Sequence, residues 1–237
     1  MTIPADEPRA AATPYGTPEA PRVAVRGEAH LEVEPEIARI GISVAARGKD
    51  RRTALEDLTR RNAAVLELVT SYGEAVERLE TGHFSLTPEL TARGRGERVR
   101  TYHGAVRLTA ELADFTALGE LTTRLADLEL TRVDGPWWAL RPGSPVHRKA
   151  RQQAVREAVQ RAREYAEALG TSLAALVELA DIGAENAEPY GRAPGRMRAM
   201  AAPGAAGEAA APLALEPERQ HVRAQVNARF TMVPPQL

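Results

Sequence analysis

The chain has 237 residues, a formal net charge of -1 and no cysteine. The charge balance gives no bulk attraction to nucleic acid or to an anionic membrane, and the absent thiols remove disulfides, thiolate nucleophiles and cysteine-rich zinc sites. Aromatic residues make up only 4% of the chain, so the core has to be built from Val, Leu, Ile and Ala.

Residues 1–21 carry prolines and acids and no apolar run. They predict a disordered N-terminal tail with neither a secretory core nor an anchor, and a cytoplasmic location is expected from that. No later stretch reaches the roughly 20 consecutive apolar residues of a membrane helix, so no membrane partner is expected. From Val23 the residues alternate: Val23, Val25, Ala29, Leu31 and Val33 fall on one face, and Arg26, Glu28, His30, Glu32 and Glu34 on the other. That is a half-buried strand with one wet face. After Pro35 the phase changes, with Ala38, Ile40, Ile42, Val44 and Ala46 as the apolar set. Because each strand of a hairpin starts its own count, the change predicts a hairpin turned at Pro35.

Asp50 then caps a predicted helix whose stripe is Leu55, Leu58, Asn62, Val65, Val69 and Tyr72, ended by Gly73. A second strand pair follows, with Phe84, Leu86 and Leu90 on one face of the first strand and Tyr102, Val106, Leu108 and Ala110 on the second, joined by a turn at "ARGRGE". Asp114 caps a second helix bearing Phe115, Leu118, Leu121, Leu125 and Leu128. Strand-strand-helix therefore occurs twice. "LTRVDGPWWAL" predicts a fifth strand, and Ser144 with Pro145 starts a third helix that carries Ala150, Ala154, Ala158, Ala162 and Ala166 and stops at Gly170. That alanine row allows a sheet or another helix to approach closely. A short strand in "SLAALVELADIG", a mobile loop at about 184–215 rich in Pro, Gly and Ala, and a strictly alternating strand from Val222 to Met232 complete the chain. The expected fold is α+β: a mostly antiparallel sheet with three helices packed on one face, as one domain over 22–235.

The order of these elements resembles the SIMPL-domain family. The resemblance runs through "VAVRGEA", Pro35-Glu36 with Ala38, Gly48, Thr53-Ala54, Asn62, "YHGAVRLTAELAD", "DGPWWAL", the alanine-rich helix ending at Leu169-Gly170, and the last strand after "LEPE". It implies ties to stress responses, surface antigens and protein interaction, and it carries no catalytic residue over to this chain.

Several side chains invite chemistry. His30, His83 and His221 sit on polar strand phases without a ligand spacing, so neither a metal nor another cofactor is expected. Arg93, Arg95, Arg98 and Arg100 gather as a candidate anion contact at a hairpin tip, but Glu97 interrupts them and no aromatics are interleaved for stacking, so nucleic acid is not the expected partner. "SVAARGKD" lacks the glycine spacing of a phosphate loop. Asn62 reads as a buried amide bonded to backbone, or else as a polar register-setter between helices. Trp137 and Trp138 must point to opposite faces of one strand, one into the core and one towards water or a partner, where tryptophan dominates binding energy. The expected function is a non-catalytic interaction or scaffold protein, homo-oligomeric, with a further protein as partner. The alternative is a small-ligand-binding protein with a pocket between sheet and helices.

Overall fold

The computed structural model describes residues 16–90, 99–181, 211 and 213–236. In chain order the elements are β1 (Arg22–Val33), β2 (Ile37–Gly48), α1 (Arg51–Thr70), a short 3-10 turn (Gly73–Ala75), β3 (Val76–Leu90), β4 (Val99–Leu112), α2 (Phe115–Ala126), β5 (Thr131–Ala139), α3 (Pro145–Ala168), β6 (Leu173–Asp181) and β7 (Gln220–Met232). The class is α+β, the strands pair antiparallel, and strand-strand-helix recurs in the expected order. The strands divide between two sheets, one ordered β1-β7-β6 and one ordered β3-β4-β2-β5. Pro35 is therefore not the corner of a hairpin, because β1 and β2 belong to different sheets. A change of phase marks any two strands that count independently, whether they pair with each other or leave for separate sheets.

Two compact units result, one gathering β1, α3, β6 and β7, the other β2 to β5 with α1 and α2. In the first, the Met232 N–H donates to the Pro21 carbonyl at 2.8 Å and the Gln225 amide reaches the Glu28 carboxylate at 3.4 Å. Each step back along β7 is a step forward along β1, which sets the pair antiparallel. The third helix starts where its cap residues dictate, the Ser144 hydroxyl accepting from the Val146 N–H at 3.3 Å with Pro145 in the first turn. It closes with Gly170 N–H donating to the Glu167 carbonyl and Thr171 N–H to the Ala166 carbonyl, each at 2.9 Å. Ala150, Ala154, Ala158, Ala162 and Ala166 are all buried, as the spacing predicts. They allow a very close approach: a Cβ on Gly27 of β1 would lie 2.0 Å from the Ala154 carbonyl oxygen and 2.7 Å from the Ala158 Cβ. Val25, Ala29, Val226, Ala228 and Phe230 complete this small core.

In the second unit, Asp50 caps α1, accepting the Thr53 N–H at 2.9 Å and the Thr53 hydroxyl at 3.0 Å. The Thr53 backbone N–H holds the Asp50 carboxyl below its usual range. Asp114 caps α2 through the N–H groups of Thr116 and Ala117 at 2.8 and 3.1 Å. Ile40, Ile42 and Val44 of β2 with Leu108, Ala110 and Leu112 of β4 meet Leu58, Val65 and Val69 of α1 and Leu118, Leu121 and Leu125 of α2. Three expectations are corrected here. Leu55 is 43% exposed and Ala54 takes its place against the sheet, because the start of α1 lies so near Gly48 that a Cβ there would stand 2.3 Å from the Ala54 nitrogen. Phe84, 51% exposed, and Leu90 also stay outside the core, since β3 is an edge strand and the helices cover β2 and β4.

Of the tail expected at 1–21, residues 1–15 lie outside the described residues, while Thr17 and Ala20 exchange backbone hydrogen bonds at 3.2 and 3.1 Å. Most of the loop expected at about 184–215 lies outside them too. Its end does not: the Leu213 N–H donates to the Thr123 hydroxyl of α2 at 3.1 Å, and Leu215 packs on the core. Gly119 permits that seat, since a Cβ there would fall 2.4 Å from the Leu213 carbonyl oxygen.

The close approach at Gly27 gives a direct expectation. Gly27→Ala should lower the unfolding free energy by about 2 kcal/mol in urea denaturation, as overpacked cores do. Gly143→Ala, where an added Cβ meets nothing within 4 Å, should change it by less than about 0.5 kcal/mol.

Candidate functional site

The strand pleat sends alternate side chains to opposite faces, so the four-stranded sheet has one face under α1 and α2 and one without helices. On the helix-free face β2 presents Arg39, Gly41, Ser43 and Ala45, and β4 presents Glu111, Thr109, Arg107 and Ala105 directly across from them. Arg39 and Glu111 form an ion pair near one end of the β2–β4 ladder, Nε to Oε1 at 2.9 Å and Nη2 to the same oxygen at 2.5 Å. A directly opposed pair of unlike charges is a favourable cross-strand contact. Farther along the sheet lie Arg132 with Asp134 at 2.7 Å and, towards the other end of β4, His103 with Glu89 at 2.7 Å. The His103 ring beside it holds the Glu89 carboxyl below the usual carboxylate range.

The two tryptophans separate as expected. Trp138 turns to the helix side, where its ring meets Phe115 edge-on at 4.8 Å and 75°. Trp137 stands opposite Arg39 on the other face, 53% exposed, with its ring edge 3.4 Å from where a Cβ on Gly41 would sit. Gly41, Ser43, Ala45 and Ala105 leave a low path beside it. The face thus sets an exposed indole over a shallow strip of small residues, next to a pinned ion pair. The charge pairing at Arg39 was not legible in advance; it needs the register that puts residue 39 opposite residue 111.

Other predicted residues do not gather here. Arg93, Arg95 and Arg98 lie outside the described residues, and Arg100 is exposed on β4. His83 is on β3 of the four-stranded sheet, whereas His30 and His221 are on β1 and β7 of the other. Among the described residues no group of three or more His, Asp or Glu side chains is placed to hold a metal ion. Asn62 does not match the expected satisfied amide, since its Oδ1 is buried with no hydrogen-bond partner among the described residues.

In the three-stranded unit a groove of about 410 Å³ runs between α3 and β6, lined by Val159, Arg163, Ala166, Leu173, Leu176 and Phe230 among others. It is the concavity that answers to the alternative of a ligand pocket between sheet and helix. Leu176 on its wall is exposed, so the groove is not closed over.

The SIMPL family model, described as a protein of unknown function (DUF541), matches residues 23–230. Two relatives, each named 26 kDa periplasmic immunogenic protein, come from Brucella melitensis biotype 1 and Brucella abortus strain S19. Each is 24% identical over 166 residues, a match that covers 68% of this chain and 66%, just under two thirds, of the relative. Their naming as periplasmic overturns the cytoplasmic location expected from the sequence. That expectation rested on the lack of an apolar run in residues 1–21, and the lack of a segment does not fix a compartment.

Two stability measurements follow from these placements. Trp138→Ala should cost about 3 kcal/mol in denaturant unfolding while Trp137→Ala costs less than about 1 kcal/mol, separating the core ring from the surface ring. Asn62→Leu should raise stability by about 1 kcal/mol by removing a buried acceptor that has no partner.

Proposed function

The chain belongs to the SIMPL family, and on that premise we propose that it is a non-catalytic interaction protein of the periplasm, working as a homo-oligomer whose helix-free sheet face meets a protein partner. Trp137 carries the reading. A tryptophan is the side chain most enriched at binding hot spots, and holding one 53% exposed in a chain so poor in aromatics leaves apolar surface for a partner to bury. The strip of small residues at Gly41, Ser43 and Ala45 suits a partner that lies flat across the strands. The Arg39–Glu111 pair supplies polar rim contacts that are already satisfied within the chain. The periplasmic part of the reading comes from the names of the two relatives.

The test has two arms. Light scattering at tens of micromolar is expected to return a whole multiple of the chain mass, and a monomer mass would remove the homo-oligomer. A photo-crosslinking residue at position 137, expressed in cells, should capture a second polypeptide in a defined band identified by mass spectrometry. The same residue at Arg52, an exposed position on α1, should not. Equal labelling from both positions would end the case for this face.

A further inference from the structure

The three-stranded sheet has an edge, the outer side of β6, that no described strand pairs with. Among the described residues β6 pairs with β7 alone. Sheet edges are normally guarded by charged side chains, above all lysine, by proline, by bulges or by a covering element, and of these β6 has two acids and two register shifts. The other edges here follow that rule: β1 carries Arg22 and Arg26 and gives its Glu28 N–H to the Glu157 carboxylate of α3 at 3.0 Å, β3 carries Arg78 and Pro88, and β5 carries Arg132 and Pro136. β6, "LAALVELAD", has no basic residue and no proline. Its Leu176, Val177 and Leu179 are 54%, 43% and 47% exposed. A strand with exposed apolar side chains, bare along one side among the described residues, is a template for another strand.

We propose that β6 pairs antiparallel with β6 of a second copy of this chain, joining two three-stranded sheets into one of six strands. The inference rests on the homo-oligomer proposed above and names its surface. The pattern of β6 fits itself. Leu176 and Leu179 lie on the α3 side, opposite Phe230 and Ala228 of β7, while Ala175 and Ala180 lie on the other side, opposite Thr231 and Asn227. A twofold axis between Val177 and Glu178 sets Leu176 of one copy against Leu179 of the other, and Ala175 against Ala180. Those four side chains then keep their faces despite the register shifts at Leu173/Ala175 and Leu176/Glu178.

The charges of the strand find partners in this register. The strand is acidic, through Glu178 and Asp181, so the arriving copy brings carboxylates only. Glu178 is already paired with Arg229, which neutralises the charge nearest the axis. In this register the second copy's Asp181, on the α3 side, arrives opposite Ala174, and Ala174 lines the groove together with Arg163. Arg163 has no ion-pair partner among the described residues and would gain one at each end of the joined strands. An isologous pairing of this kind closes on itself, so it ends at two copies and leaves no β6 edge exposed.

The absence of native cysteine makes the register testable in the full chain. Leu176→Cys and Leu179→Cys are made as separate proteins. Mixed and mildly oxidised, they should form a disulfide-linked dimer, and neither alone should do so. Leu176→Lys with Leu179→Lys should raise the dissociation constant between copies at least about thirtyfold by light scattering, the loss of one binding hot spot, with an unchanged circular dichroism spectrum. Cross-linking of either single variant with itself would overturn this register. If the wild-type protein is oligomeric and neither the lysines nor the mixed cysteines have any effect, the β6 pairing is wrong and the homo-oligomer stands on another surface. A monomeric wild type sinks both.

Discussion

Everything else in the molecule depends on how near its helices lie to its strands. At Gly27 and at Gly48 the helix backbone occupies the space a side chain would need, Ala154 and Ala158 on α3 in one case and Ala54 on α1 in the other. A chain that can spend few aromatics on its core gains its contact area by bringing backbones together, with alanine and glycine as the facing surfaces. The cost is reach. A helix is about 10 Å across and neighbouring strands are about 4.8 Å apart, so one closely seated helix covers about two strands. α3 covers β1 and β7, and β6 is left at the side with its leucines bare.

The four-stranded unit answers the same problem differently. Two helices share the covering, and the end of a long connection, at Leu213 and Leu215, fits against α2 where Gly119 makes room. Its other face is covered by neither α1 nor α2 and is made acceptable to water by cross-strand pairing such as Arg39 with Glu111. On that face Trp137 is the large apolar side chain, half exposed where it lies over Gly41. The molecule thus carries uncovered surfaces of two kinds, a flat face with an aromatic on it and a strand edge, and both are forms in which proteins meet proteins.

Much of this was legible in advance, residue by residue. The alternation from Val222 to Met232, the caps at Asp50, Asp114 and Ser144, and the alanine row of α3 are written in the local spacing, and all appear where the spacing puts them. The split of Trp137 from Trp138 follows from the pleat alone. Other features were not legible. The step at Pro35 looked like a hairpin because a strand's period says nothing about which strand lies beside it. Leu55 and Ala54 both fit a three-four stripe, and only the nearness of Gly48 decides that the smaller one turns inward. Asn62 Oδ1 was expected to be bonded and has no partner among the described residues, since a side chain's neighbours across a sheet are not written in its own helix.

By itself the sequence determined the kind and order of the elements, the faces on which their apolar residues lie, and the family to which they belong. These are properties of short stretches, governed by backbone periods of about 2 and 3.6 residues and by capping chemistry. The tertiary structure decided which strands share a sheet, which helix covers which strands, and hence which apolar residues stay outside. Those outcomes depend on burial between segments far apart in the chain, where a glycine or alanine at the right height sets the distance, and no local period records that distance.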